Sequence, residues 1–115
     1  MDKKFKVFFI EEAKKEYRKL DGVVKKLVNV AIAKMQERAD ELGEDLTSKH
    51  GINLIGCRKI KFRNAGIRIV YRIVGTRAEI AEILTVGKLE DHEVYKIAAK
   101  RLKNIKNDEN CKGDF

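Results

Sequence analysis

The chain has 115 residues, which fits one small domain with a single core, and its 43% apolar content excludes global disorder. Lys and Arg number 26 against 18 Asp and Glu, a formal net charge of +8, and cations that cluster in this way point to a polyanionic partner. No apolar run approaches the roughly 20 residues that span a bilayer, and the opening Met1-Asp2-Lys3-Lys4 has no small-residue cleavage site after it, so a cytoplasmic protein without a membrane partner is expected.

Residues 4–10, rich in Phe and Val, read as a first strand. Glu11 and Glu12 follow where a helix N-terminus favours negative charge, and Ala13, Tyr17 and Leu20 keep helical spacing. Asp21-Gly22 interrupts that helix, and Asp21 is placed to cap the next. Val24, Leu27, Val28, Ala31, Met35 and Leu42 mark a long amphipathic helix, with Lys25, Lys26, Lys34, Glu37, Arg38 and Glu41 on its outer side. Two helices joined this closely make a hairpin whose apolar stripe needs a sheet to pack on. Residues 43–56 hold three glycines and read as a loop, with Leu54 and Ile55 tucked under the core.

Strands are expected at 57–63 and 67–74, joined tightly enough to be an antiparallel hairpin. Pairing Ile60 with Ile69 and Phe62 with Ile67 puts these residues, Tyr71 and Ile73 on one face and leaves 63–66 as the turn. Lys61 then opposes Arg68, Lys59 opposes Val70, and Lys59, Lys61, Arg68 and Arg72 gather on the other face. A fourth strand at 78–86 ends at Gly87, and Asp91 is placed to cap a last helix that runs to about residue 105. Its packing side is Val94, Ile97, Ala98 and Leu102, and 106–115 reads as a polar, flexible tail. The expected architecture is α+β, in the order β-α-α-β-β-β-α. A small antiparallel sheet packs against an N-terminal helical hairpin, with a C-terminal helix, in one domain over 1–105.

Like charges directly opposite on a sheet cost stability, so the Lys61/Arg68 pair points to a binding role, and a phosphodiester suits several fixed cations beside Tyr95. Metal-free RNA cleavage needs a base for the 2′-hydroxyl, cations at phosphorus and an acid for the 5′ oxygen. Lys59 serves as the base if Lys61, Arg68 and Arg72 depress its pKa from about 10.4. Lys61 and Arg68 are then the charge stabilisers. Each residue has a plainer reading. Lys59 and Lys61 keep an exposed sheet face soluble, Arg68 and Arg72 pair with Glu79 or Glu82, and Tyr95 is a rim residue with its hydroxyl in water. Tyr71 faces the core by parity, and His50 is a solvated loop histidine. Cys57 and Cys111 lack metal-ligand spacing and no nucleotide-binding glycine pattern occurs, so neither metal nor cofactor is expected.

Lys59-Ile60-Lys61-Phe62-Arg63, Gly66-Ile67-Arg68-Ile69-Val70-Tyr71, Thr85-Val86-Gly87-Lys88 and Glu93-Val94-Tyr95 with Lys100-Arg101-Leu102 together resemble the RelE-type toxins of the RelE/ParE superfamily. The resemblance spans roughly residues 4–105 and includes 11–20, which is similar to the family's first helix. It implies the toxin half of a type II toxin–antitoxin pair, a metal-independent endoribonuclease that cuts mRNA in the ribosomal A site. The implied partners are a cognate antitoxin, forming a hetero-oligomer, together with the ribosome and mRNA. Lys59 and Lys61 match the two catalytic lysines, Arg68 the arginine that clamps the scissile phosphate, and Tyr95 the tyrosine that orients the substrate. Arg63, Arg72 and Lys88 are assigned to substrate binding. One position departs from the pattern: Leu89 stands where an arginine usually acts as general acid. Either Lys88 or His92 substitutes for it, or the branch cuts weakly or only binds RNA, ribosome or partner, or it acts as a ParE-type gyrase inhibitor.

Overall fold

Alternation of apolar and cationic residues through 57–74 produces the strand pair at the centre of the fold. In a computed structural model that describes residues 5–46, 54, 56–74, 80–88 and 90–112, with side chains to residue 105, the elements are β1 (Lys6–Phe9), α1 (Glu11–Arg18), α2 (Gly22–Arg38), β2 (Glu44–Asp45), β3 (Cys57–Phe62), β4 (Ile67–Val74), β5 (Ile80–Gly87) and α3 (Asp91–Lys112). The sheet order is β1-β5-β4-β3-β2. The β3–β4 register is the one the alternation requires: Ile60 opposes Ile69, Phe62 opposes Ile67, Lys61 opposes Arg68 and Lys59 opposes Val70. The turn at 63–66 closes with the Gly66 amide donating to the Arg63 carbonyl (3.3 Å), and Gly66 adopts φ +67°, which glycine enters without a steric penalty.

Several boundaries differ from the sequence reading. β1 joins the far edge of the sheet parallel to β5, Lys6 opposite Ile80 and Phe9 opposite Ile83, so the sheet is mixed, with one parallel pair. The expected loop contains the two-residue strand β2, with Glu44 opposite Lys59 and Asp45 opposite Arg58. Helix α2 ends at Arg38, so Leu42 packs from the following turn. Helix α3 continues to Lys112 instead of ending near 105, because neither Gly nor Pro intervenes before Gly113. Ile55, His50, Gly75, Thr76, Ala78 and Glu79 lie outside the described residues.

Both faces of the sheet are covered. On one, Val24, Val28, Ala31 and Met35 of α2 and Ala13 of α1 pack on Ile67, Ile69, Tyr71, Ile83 and Val86. The Asp21 side chain caps α2 by accepting from the Val24 amide (3.0 Å), a contact worth about 1 kcal/mol. On the other face, Val94, Tyr95, Ala98 and Leu102 of α3 cover Cys57, Val70 and Leu84, with Leu46 and Leu54 beside them. The cation-bearing face is therefore only partly open to solvent, contrary to a freely exposed sheet surface.

Buried polar contacts fix the joints between these layers. Tyr71, fully buried as parity required, donates its hydroxyl to the Ala39 carbonyl (2.7 Å) and lies 3.2 Å from that of Leu42. Arg58 donates to the Leu42 carbonyl (2.6 Å) and the Gly43 carbonyl (3.3 Å), so the chain leaving α2 is held by side chains from β3 and β4. A β-bulge interrupts β4–β5: Val70 opposes Thr85 and Tyr71 opposes Ile83, leaving Leu84 as the extra residue. Arg101 donates to the Leu84 carbonyl (2.9 Å), while Glu16 accepts from the Val86 amide (3.4 Å) and the Thr85 hydroxyl (2.9 Å). Glu16 and Arg101 are themselves paired at 2.7 Å, which ties α1 to α3 across the bulge.

Candidate functional site

Strand parity sends Lys59 and Lys61 of β3 and Arg68 of β4 to the face that α3 crosses, and the start of α3 brings Asp91 and Tyr95 against them. Asp91 and Tyr95 are four residues apart, so one helix face presents both. Lys59 is only 7% exposed. Its Nζ donates to the Tyr95 hydroxyl (2.9 Å) and to Asp91 Oδ1 (3.3 Å), and lies 3.4 Å from Glu44 Oε1. It also lies 5.4 Å from the centre of the Tyr95 ring. Arg68 Nε donates to the same Asp91 Oδ1, so one carboxylate oxygen bridges the two buried cations.

These contacts set the protonation states. Burial works to lower the Lys59 pKa, but the hydrogen bonds to Tyr95 and Asp91 and the charge of Asp91 outweigh it and hold the ammonium above the ordinary lysine value. The depression expected from Lys61, Arg68 and Arg72 does not occur, because the contacts with Tyr95 and Asp91 favour the ammonium form. For Asp91, burial works upward, but Arg68 and then Lys59 hold the carboxyl below its usual range.

Two clefts meet at Lys61. One, of about 570 Å³, is lined by Lys61, Arg63, Ala65, Gly66, Arg68, Lys88 and Glu90. The other, of about 380 Å³, is lined by Gly43, Glu44, Lys59, Lys61, Arg63 and Asp91. Lys61, Arg63 and Lys88 are exposed on these walls, while Lys59 and Arg68 form the buried floor. The arrangement offers a phosphodiester two buried cations below and exposed cations on the rim.

Not every residue singled out in the sequence joins this group. Arg72 is buried and paired with Glu82 at 2.8 Å, its partner in the β4–β5 register, so its guanidinium holds the sheet and lines neither cleft. His92 is exposed and likewise outside both linings. Tyr95 is 2% exposed, with its hydroxyl on Lys59, which corrects the reading of a rim tyrosine in water. Leu89 lies outside the described residues. Among the described residues no group of three His, Cys, Asp or Glu side chains is placed to hold a metal ion, and no helix is long and apolar enough to cross a membrane. Sequence reasoning treated Asp91 only as a cap and placed Glu44 in a loop. The signal that could have found Asp91 was its four-residue spacing from Tyr95.

No protein-family model matches the chain. Individual proteins do. A RelE-like toxin protein of Escherichia coli is 32% identical over 100 residues, covering 87% of this chain and 99% of that one. The mRNA interferase toxin RelE of E. coli strain K12 is 32% identical over 94 residues, covering 82% and 93%. Among solved structures, a double arginine-to-alanine mutant of E. coli RelE in the free state superimposes with a TM-score of 0.64 at 30% identity, covering 86% of this chain and 97% of that one. The toxin in the intact E. coli RelBE toxin–antitoxin complex gives 0.59 at 27% identity, covering 75% and 98%. With a shared fold and identity of this extent over nearly the whole length of its relatives, the chain belongs to the RelE family of toxins.

Proposed function

We propose that this protein is the toxin of a type II toxin–antitoxin pair and a ribosome-dependent mRNA endonuclease whose own side chains supply the chemistry. The observation that carries this reading is the convergence of Lys59, Arg68 and Tyr95 beneath two clefts that share Lys61 and Arg63. Relatives at 32% identity bear the name mRNA interferase, which supports the same activity. Lys59 acts as a buried ammonium and hydrogen-bond donor to the phosphate, because its raised pKa disfavours the role of base. Tyr95 fixes its direction. Arg68 clamps the phosphate from β4, and Lys61, Arg63 and Lys88 hold neighbouring phosphates. Arg72 is left with a structural role.

The partner in this reading is an antitoxin, as in the solved RelBE complex, forming a hetero-oligomer whose acidic groups meet this face. Primer extension on translated mRNA tests the activity. The native chain should give cuts phased with codons, and Lys61→Ala and Arg68→Ala should each lower cleavage about 10²-fold or more. Cleavage at the native rate in both variants would refute the assignment. Two observations favour a second reading, a RelE-like module that binds without cutting: Asp91 already pairs with both buried cations, and Leu89 stands where the usual acid would. A large gain in cleavage for Leu89→Arg would show that the acid step is what this chain lacks, whereas no gain would assign that step to a neighbour such as Lys88.

A further inference from the structure

Asp91 is the one acidic side chain that touches both buried cations of the proposed site among the described contacts. Its place in the first turn of α3 suits the helix dipole, but that accounts for its charge and not for its aim. The carboxylate reaches away from the helix to Lys59 on β3 and Arg68 on β4, elements that the sheet holds in fixed register. An oxygen anion bridging an ammonium and a guanidinium is also the arrangement a phosphate oxygen would adopt on the same two groups. The side chain is 34% exposed, on the wall of the smaller cleft, so an incoming anion has access to it.

We propose that Asp91 is a resident counter-anion, occupying the phosphate position between Lys59 and Arg68, which a substrate phosphodiester must displace. The inference rests on reading this face as a phosphodiester site. It follows that a lone phosphate competes poorly, since it gains only the two cations that Asp91 already satisfies. A polyanion also gains Lys61, Arg63 and Lys88 along the clefts, so it wins where the single anion does not. Asp91 is thus a specificity-determining residue that favours a chain of phosphates over free nucleotides and inorganic phosphate.

The test uses the full chain and a fluorescent DNA oligonucleotide, which lacks the 2′-hydroxyl and stays uncut, with inorganic phosphate as the competitor. Asp91→Asn keeps the shape of the side chain and removes its charge. Glu93→Gln changes net charge equally, from an exposed position two residues on. Asp91→Asn should tighten oligonucleotide binding about tenfold, and the slope of log K against log salt should steepen by about 0.7, one added cation's share for a single strand. Inorganic phosphate should compete measurably with Asp91→Asn alone. Glu93→Gln should change none of these beyond about twofold. Unchanged or weaker binding by Asp91→Asn, folded by circular dichroism, would overturn the proposal and leave Asp91 as a positioning group. Lys61→Ala separates the two levels of the argument: if it fails to weaken oligonucleotide binding, the phosphodiester reading fails and takes this inference with it.

Discussion

Replacing Gly43 by alanine should damage the site through the backbone of β3. Gly43 has φ +68°, and a Cβ built there falls 2.1 Å from the Lys59 carbonyl oxygen, 2.8 Å from its carbonyl carbon and 3.2 Å from Ile60 Cγ1. Two costs add. A left-handed conformation at a non-glycine residue costs about 1–2 kcal/mol. The collision is with backbone, which cannot rotate away, and overpacking of this kind costs about 1–3 kcal/mol. The expected loss is about 2–5 kcal/mol, unless the two-residue strand β2 detaches and takes Glu44 away from Lys59. Gly66→Ala provides the control, because Gly66 has nearly the same φ of +67° with no atom within 4 Å of the added methyl. Urea unfolding of the native chain and both variants measures the difference. Gly66→Ala should lose only about 1–2 kcal/mol, the conformational share. Equal losses in the two variants would refute the claim that close approach to Lys59 fixes glycine at 43.

Tyr71→Phe should cost about 1–3 kcal/mol by leaving the buried Ala39 carbonyl without its donor, read by the same unfolding experiment. Burial raises the Tyr71 hydroxyl to about 12, against the opposing pull of Arg58. A raised folded pKa means that its contribution is complete below 10.0 and is lost as pH rises through about 12, so stability should fall in that window in step with tyrosinate absorbance. Glu16→Gln should cost about 2 kcal/mol or more, since Arg101 keeps the Leu84 carbonyl but loses its carboxylate. A double-mutant cycle with Arg101→Met should then return a coupling above about 1 kcal/mol. The Asp91 carboxyl is held low, so its contribution is in place above the ordinary 3.8 and lost as pH falls through the folded value. The stability gap between the native chain and Asp91→Asn should therefore be flat at higher pH and close in acid, and a gap that persists in acid would contradict the ion pairs described.

The β3–β4 hairpin was legible to the residue because parity, together with a turn at 63–66, pairs Ile60 with Ile69 and Phe62 with Ile67. The Asp21 cap and the inward Tyr71 followed from equally local rules. What escaped was whatever depends on partners distant in sequence. The parallel seating of β1 on β5 joins residues some seventy positions apart, and no local pattern at Lys6–Phe9 distinguishes the two edges. The bulge at Leu84 is held by Arg101 and Glu16, which come from α3 and α1, far from it in sequence. In the site, the positions of Lys59 and Arg68 followed from alternation. The charge state of Lys59 did not, because Asp91 and Tyr95 meet it from α3 at a separation of more than thirty residues.

The cover that α3 lays over the cation face also has a consequence for the newborn chain. Synthesis runs from the N-terminus, so β1, α1 and α2 emerge first, and β1 lacks its partner strand until β5 is made. Lys59 and Arg68 follow, before Asp91 is made and with Val70 and Leu84 not yet covered by α3 on the same face. Asp91 and Tyr95 arrive only with the last helix. The cation group is thus completed only after β5, and the helix that completes it also brings a carboxylate to it.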